Sequence, residues 1–202
     1  MYKELIIDTC IEYGLPLKQA AYVLATAYWE TAKTFEPVRE AFYLGKKANS
    51  YRKKLRYYPY YGRGFVQLTW EANYKRAGEK FGKNFLTNPD EVMEPNIAAE
   101  ILVVGSKEGW FTGKKLGDYI TDDGADYINA RRVINGLDKA SDIALLAKEF
   151  ELELGADKDR YKFKSTQKPV QPVPKPSGTT APEKAKRPWW SFLIDFIVGL
   201  FK

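Results

Sequence analysis

The sequence predicts a mainly α domain organised on one buried helix, followed by an extended linker and a short amphipathic helix. Three observations carry this expectation. Apolar residues recur at helical spacing in several segments, and none alternates as a strand beyond a few residues. The run Ala20–Glu30, AAYVLATAYWE, has almost no charge on any face, which marks a helix buried all round. Residues 165–188 hold six of the eleven prolines and almost no large apolar side chain, too little to bury on folding.

Taken in order, Tyr2–Tyr13 reads as a first helix through Leu5, Ile6, Thr9 and Tyr13. Gly14 ends it, and Pro16 suits the first turn of the next. Residues 32–61 have weak periodicity and read as loop with one short helix. Glu71–Phe81 is helical and stops at Gly82. Asn88-Pro89-Asp90 starts another helical stretch, Pro95 divides it, and Asn96–Phe111 resumes through Ile97, Ile101, Leu102 and Val104. A loop at 113–123 leads to helices at Ala125–Ile134 and Ser141–Leu154. The latter has Ser141 as N-cap and Ile143, Leu146, Ala147 and Phe150 on its apolar face. The chain divides into a domain at 1–164, a Pro/Lys-rich linker at 165–188 and a tail at 189–202. Drawn as a helix, the tail WWSFLIDFIVGLFK confines its polar character to Ser191, Asp195, Gly199 and Lys202. Fourteen residues are short for a transmembrane span, so an interfacial helix is expected, with docking on the domain as the alternative.

Composition removes several chemistries. There is no histidine, so His triads and His-ligated metals are excluded, and acid–base work falls to carboxylates. The single cysteine, Cys10, allows no disulfide framework. Neither a metal nor an organic cofactor is expected. Of the net charge of +6, most sits in 165–202, where six Lys/Arg face two Asp/Glu. That asymmetry suits an anionic membrane surface contacted by Trp189–Lys202 better than a nucleic acid. MYKELIIDTCIEYG mixes acidic with apolar residues and does not read as a signal peptide.

The densest chemical signal is YYGRGFVQLTWEANY, Tyr60–Tyr74. Gly62 and Gly64 flank Arg63, and Gln67, Thr69 and Asn73 place amides and a hydroxyl among Tyr60, Tyr61, Trp70 and Tyr74. Flat rings with neutral hydrogen-bonding groups suit a sugar, and Tyr61, Arg63, Gln67, Asn73 and Tyr74 are the candidate contacts. Packing at a tight turn is the plainer alternative. Glu30 is the first charge after Lys18, at the end of the apolar helix. Apolar surroundings and the negative end of a helix dipole both raise a carboxyl pKa, as a general acid needs. A solvent-facing glutamate paired with Lys33 is the other reading. Lys46, Lys47, Arg52, Lys53, Lys54 and Arg56, interleaved with tyrosines, form either a solvated flap or a cleft wall that attracts carboxylates.

The motif GRGxxQLTWxxNY, preceded by tyrosines and followed by Ala77-Gly78, resembles the signature of glycoside hydrolase family 19. That family contains chitinases and the related lysozyme-like endolysins of bacteriophages. WETAKTFEPVREAFY, Trp29–Tyr43, resembles its acid-bearing segment, and Ile134-Asn135-Gly136 its I-N-G motif; the three matches span about residues 15–155. Trp29 replaces the family's usual histidine, and Ala32 and Lys33 its usual glycines, departures that favour a phage-type or bacterial relative. The resemblance implies a two-lobed lysozyme-like domain acting on peptidoglycan or a chitin-like polymer. It implies Glu30 as catalytic acid, Glu40 as its carboxylate partner with Glu36 as competitor, and Thr69 holding the attacking water. Gln67, Asn73 and Asn135 match sugar-binding positions. Expected with it are a monomer made in a host cytoplasm and wall access through a permeabilised membrane. A non-catalytic wall- or membrane-binding module is the alternative of another class.

Overall fold

The computed structural model describes residues 2–157. The linker, the tail and the last residues of the expected domain lie outside them.

The structure is mainly helical, as the sequence predicts. Helix α1, Lys3–Glu12, ends at Gly14, whose φ of 66° is open to glycine. Pro16 then stands just before α2, Leu17–Glu30. Residues Ala20–Ala27, Trp29 and Glu30 of α2 are all buried, so the uncharged run does form the central helix. It packs most extensively against α7, Ala140–Ala156, which also covers α6, Tyr127–Ala130. α1 lies on α5, Pro95–Glu108, and α4, Glu71–Phe81, closes the set through Tyr74 and Ala77.

The tyrosine-rich segment between α2 and α4 forms the second part of the domain. It holds a 3-10 turn at Phe42–Lys47, the short helix α3, Ala48–Arg52, and a two-strand ladder. In that ladder β1, Val38–Arg39, pairs antiparallel with β2, Arg63–Gly64. β2 in turn rests on α5 and on the 3-10 turn Pro89–Met93, which joins this part to the helical core.

Four boundaries differ from the sequence expectation. α5 begins at Pro95 and stops at Glu108, because Gly109 takes the left-handed conformation (φ 79°) that ends the helix. The ring of Phe111, expected to continue α5, instead folds back over Gly105, where a Cβ would stand 2.4 Å from it. The helix expected over Ala125–Ile134 is α6 followed by a 3-10 turn, Arg131–Val133. Ser141 is not an N-cap: α7 starts at Ala140 behind Lys139, which is left-handed (φ 57°) and caps with no side chain.

Among the described residues no helix is long and apolar enough to cross a membrane.

Candidate active site

Glu30 is the last residue of α2 and is 2% exposed. The turn after it is locked by Thr31, whose hydroxyl donates to Ala27 O (2.7 Å) and accepts from Phe35 N–H (3.0 Å). The chain then runs through left-handed backbone at Ala32 (φ 52°), Lys33 (φ 66°) and Phe35 (φ 55°). Ala32 and Lys33 are the two positions where glycines would be usual. The left-handed backbone explains that usage, since a Cβ there costs on the order of 1–2 kcal/mol.

The Glu30 carboxyl faces Arg131, whose Nη1 donates to Oε1 at 2.8 Å; both side chains are essentially sealed from solvent. Glu30 Oε2 has no hydrogen-bond partner. Burial raises the Glu30 pKa; the Arg131 charge and hydrogen bond oppose that rise, and Asp138 adds to it. The net direction is upward, so the proton of the neutral acid has its place on Oε2, the oxygen Arg131 leaves free.

Glu40 is also buried, at 2% exposure, while Glu36 is exposed. Its Oε1 accepts from the Tyr57 hydroxyl (2.7 Å) and its Oε2 from Gly62 N–H (2.9 Å). The backbone is tied to the same glycine, with Glu40 N–H donating to Gly62 O at 2.7 Å. Burial raises the Glu40 pKa, against Gly62, Tyr57 and the Arg52 charge. Of the two candidates for the second carboxylate, Glu40 is the buried one.

The glycine-rich stretch supports Glu40 as much as it shapes a surface. A Cβ on Gly62 would stand 2.8 Å from Gln67 Oε1, so Gly62 makes room for that side chain rather than for a ligand. Gln67 Nε2 donates to Val38 O (2.9 Å), and Gln67 and Trp70 are left-handed, with φ of 54° and 77°. Non-glycine backbone in that region is strained and clusters where function fixes geometry. Thr69 donates its hydroxyl to Gln67 O (2.8 Å) and Asn73 Nδ2 donates to Thr69 O (2.9 Å). Thr69 is therefore not the cap of α4: that position is Trp70, and no side chain caps the helix.

Two expected sugar contacts turn inward. Tyr74 is 0% exposed, donating to Tyr61 O (2.7 Å) and accepting from Arg63 Nη1 (2.9 Å). Arg63 gives its Nε to Asp90 Oδ1 (2.7 Å), its Nη1 also to Pro59 O, and stacks 3.6 Å over the Tyr61 ring. Buried at 0% and 3% exposure and bonded to the Pro59 and Tyr61 carbonyls, Tyr74 and Arg63 brace the loop that carries Tyr61. Tyr61 is 7% exposed and Trp70 half-buried, with Tyr57 and Arg56 packed on the Trp70 ring.

Asn135 accepts Gly136 N–H on Oδ1 (2.8 Å) and donates its own N–H to Arg131 O (2.9 Å). The turn at Ile134-Asn135-Gly136 thus grips Arg131, a site residue the sequence reading missed. The available signal was a chemical need: a carboxyl buried in an apolar helix calls for a cation, and ARRVING supplies two beside the motif. Among the described residues no group of His, Cys, Asp and Glu is arranged to hold a metal.

Comparison with known proteins bears on the family and the fold. Residues 25–111 match the family model of glycoside hydrolase family 19, described as chitinase class I, which is the family the motifs resemble. Chitinase 11 of Oryza sativa subsp. japonica is 46% identical over 41 residues, covering 20% of this chain and 16% of that protein. Chitinase 8 of the same organism is 53% identical over 34 residues, covering 17% and 13%. The matched stretches thus span about a sixth or less of those relatives. Chitinase C from Streptomyces griseus HUT6037 superposes with a TM-score of 0.55 at 24% identity, over 75% of this chain and 66% of that one. A second bacterial family 19 chitinase gives 0.52 at 24%, over 76% and 84%. The helical fold is therefore shared with these enzymes.

Proposed function

We propose that the chain is a glycoside hydrolase that cleaves β-1,4 bonds of peptidoglycan, an endolysin-type enzyme. The observation that carries the hydrolase reading is the pair Glu30 and Glu40: both are buried, both have raised pKa values, and each sits in a different polar setting. Glu30 would protonate the leaving oxygen from Oε2 while Arg131 holds Oε1. Glu40, fixed by Tyr57 and Gly62, would take a proton from water attacking the opposite face of the sugar. Thr69 has spent its only hydroxyl proton on Gln67 O and keeps lone pairs to accept from that same water. Inversion needs carboxyls about 6.5–9.5 Å apart to admit it. Both carboxyls are closed off in this conformation, so a glycan enters by displacing what covers them.

Peptidoglycan is favoured over chitin by the basic segment 46–56 beside Glu40, since chitin offers cations no charge to bind. Turbidity loss on purified cell walls, set beside product release from chitin oligosaccharides, tests the choice. Faster cleavage of chitin would make the chain a chitinase, and cleavage of neither would leave a binding module.

For Thr69, the Val substitution is expected to lower kcat between about 10- and 100-fold by misplacing water, with KM nearly unchanged. Loss of its hydrogen bond should cost only about 1 kcal/mol of stability. A destabilised but fully active variant would remove Thr69 from the mechanism.

The tail Trp189–Lys202 is read as a membrane-surface helix, supported by its single polar stripe and by Lys184, Lys186 and Arg187 before it. The full chain should co-sediment with anionic vesicles, less so at high salt, and a chain ending at residue 164 should not. Equal sedimentation of the two would refute the membrane role.

A further inference from the structure

A pocket of about 300 Å³ is lined by Arg52, Lys53, Tyr58, Tyr61, Arg63 and Asp90 among others. Its charge is unbalanced. Asp90 is its one acid and is already shared, by Arg63 Nε at 2.7 Å and by Arg39 at 3.2 Å from outside the lining. Arg52, only 7% exposed, donates to Glu40 O (2.7 Å) and Asn49 Oδ1 (3.0 Å), neither of them an anion. Lys53 is exposed at the rim. Burial lowers the Arg52 pKa; Tyr61 and the Glu40 carboxyl oppose this, while Arg39 and Arg63 add to it by repulsion. Arg52, Lys53 and Arg63 outnumber the single lining acid, and cations in excess in a concave, partly desolvated site attract an anion.

The walls add a shape. The Tyr58 and Tyr61 rings are near-parallel at 6.3 Å, and Pro59 and Pro89 complete an apolar side. The volume is at the lower limit for ligand sites, enough for a short acidic side branch and too small for a run of sugar rings. A guanidinium fork beside an ammonium is suited to a carboxylate.

We propose that this pocket is a carboxylate subsite that receives the acidic peptide branch of a cell-wall glycan while the sugar backbone lies against Glu30 and Glu40. The inference rests on the peptidoglycan reading above and specifies how such a substrate is told from chitin. Arg52 ties the subsite to catalysis, because the same guanidinium holds the backbone carbonyl of Glu40.

Binding of N-acetyl-L-alanyl-γ-D-glutamate to the full chain, compared with its neutral diamide and with inorganic phosphate, tests it by calorimetry. The dicarboxylate should bind at least about tenfold more tightly than the diamide or phosphate, and Lys53→Glu should erase that preference without lowering Tm. Cleavage gives a second readout: Lys53→Glu should slow hydrolysis of walls bearing peptide branches about tenfold and leave chitin oligosaccharides and branch-stripped strands unaffected. Equal binding of dipeptide and diamide, or a preference that survives Lys53→Glu, overturns the subsite. Phosphate binding as tightly as the peptide overturns the peptide assignment in favour of a generic anion hole. These binding results hold even if no glycan is cleaved, so failure of the hydrolase reading remains separately visible.

Discussion

Glu30→Gln is expected to lower glycosidic hydrolysis at least about 100-fold, the lower end of what a general acid contributes. The amide keeps an oxygen for Arg131 Nη1 but has no proton to give from the position of Oε2. Reducing ends released from purified walls or chitin oligosaccharides measure the loss, and a variant with more than a tenth of the wild-type rate would end the assignment. Stability carries an independent signature. The folded Glu30 carboxyl has a pKa above its unfolded value, about 4.3. Between those two values the folded state binds more protons than the unfolded one, so folding is most favoured below about pH 4 and weakens as pH rises. Glutamine removes that dependence. Thermal unfolding of the variant, measured against wild type, should therefore gain steadily on it from about pH 4 upward. A gain in the opposite direction would mean that Arg131 outweighs burial.

Arg131→Met has the largest expected effect on folding, because it leaves Glu30 in a dry site without its cation. Breaking a buried pair in this way costs about 3–5 kcal/mol. The loss should be greatest at alkaline pH and shrink toward pH 4, where the carboxyl is protonated in both proteins. The same change raises the Glu30 pKa further, so the alkaline limb of the pH–rate profile should move upward. Arg131→Lys, which keeps the charge, should move it less. A purely structural arginine would destabilise by the same amount at every pH and leave the limb in place, and that pattern would remove Arg131 from the site.

Much of the fold was legible in the chain because its signals act within one or two turns. The uncharged face of Ala20–Glu30 specified a buried α2, and Gly82 stopped α4 where its left-handed conformation permits. The same local logic misplaced the end of α5, which Gly109 rather than the apolar run sets. It also misplaced the start of α7, which the Lys139 turn fixes although Ser141 stood as the obvious cap. A ladder of two-residue strands and a 3-10 turn in 31–70 leave too little period to read.

The site divides the same way. Glu30 at the end of an apolar helix, and Gln67, Thr69 and Asn73 in one compact turn, are neighbours in sequence, so residue type and spacing sufficed to place them together. Only folding separates the settings of Glu40 and Glu36: the pairing of Val38–Arg39 with Arg63–Gly64 brings Gly62 N–H onto the buried Glu40 carboxylate, while Glu36 is exposed. It also turned Arg63 and Tyr74 from candidate sugar contacts into interior braces, since Asp90 and the Tyr61 carbonyl come to meet them. Arg131 stands 101 residues from Glu30, and nothing local distinguishes it from Arg132. The packing of α2 and α6 on α7 makes that choice: of two adjacent arginines, one is carried under the carboxyl and the other out to solvent.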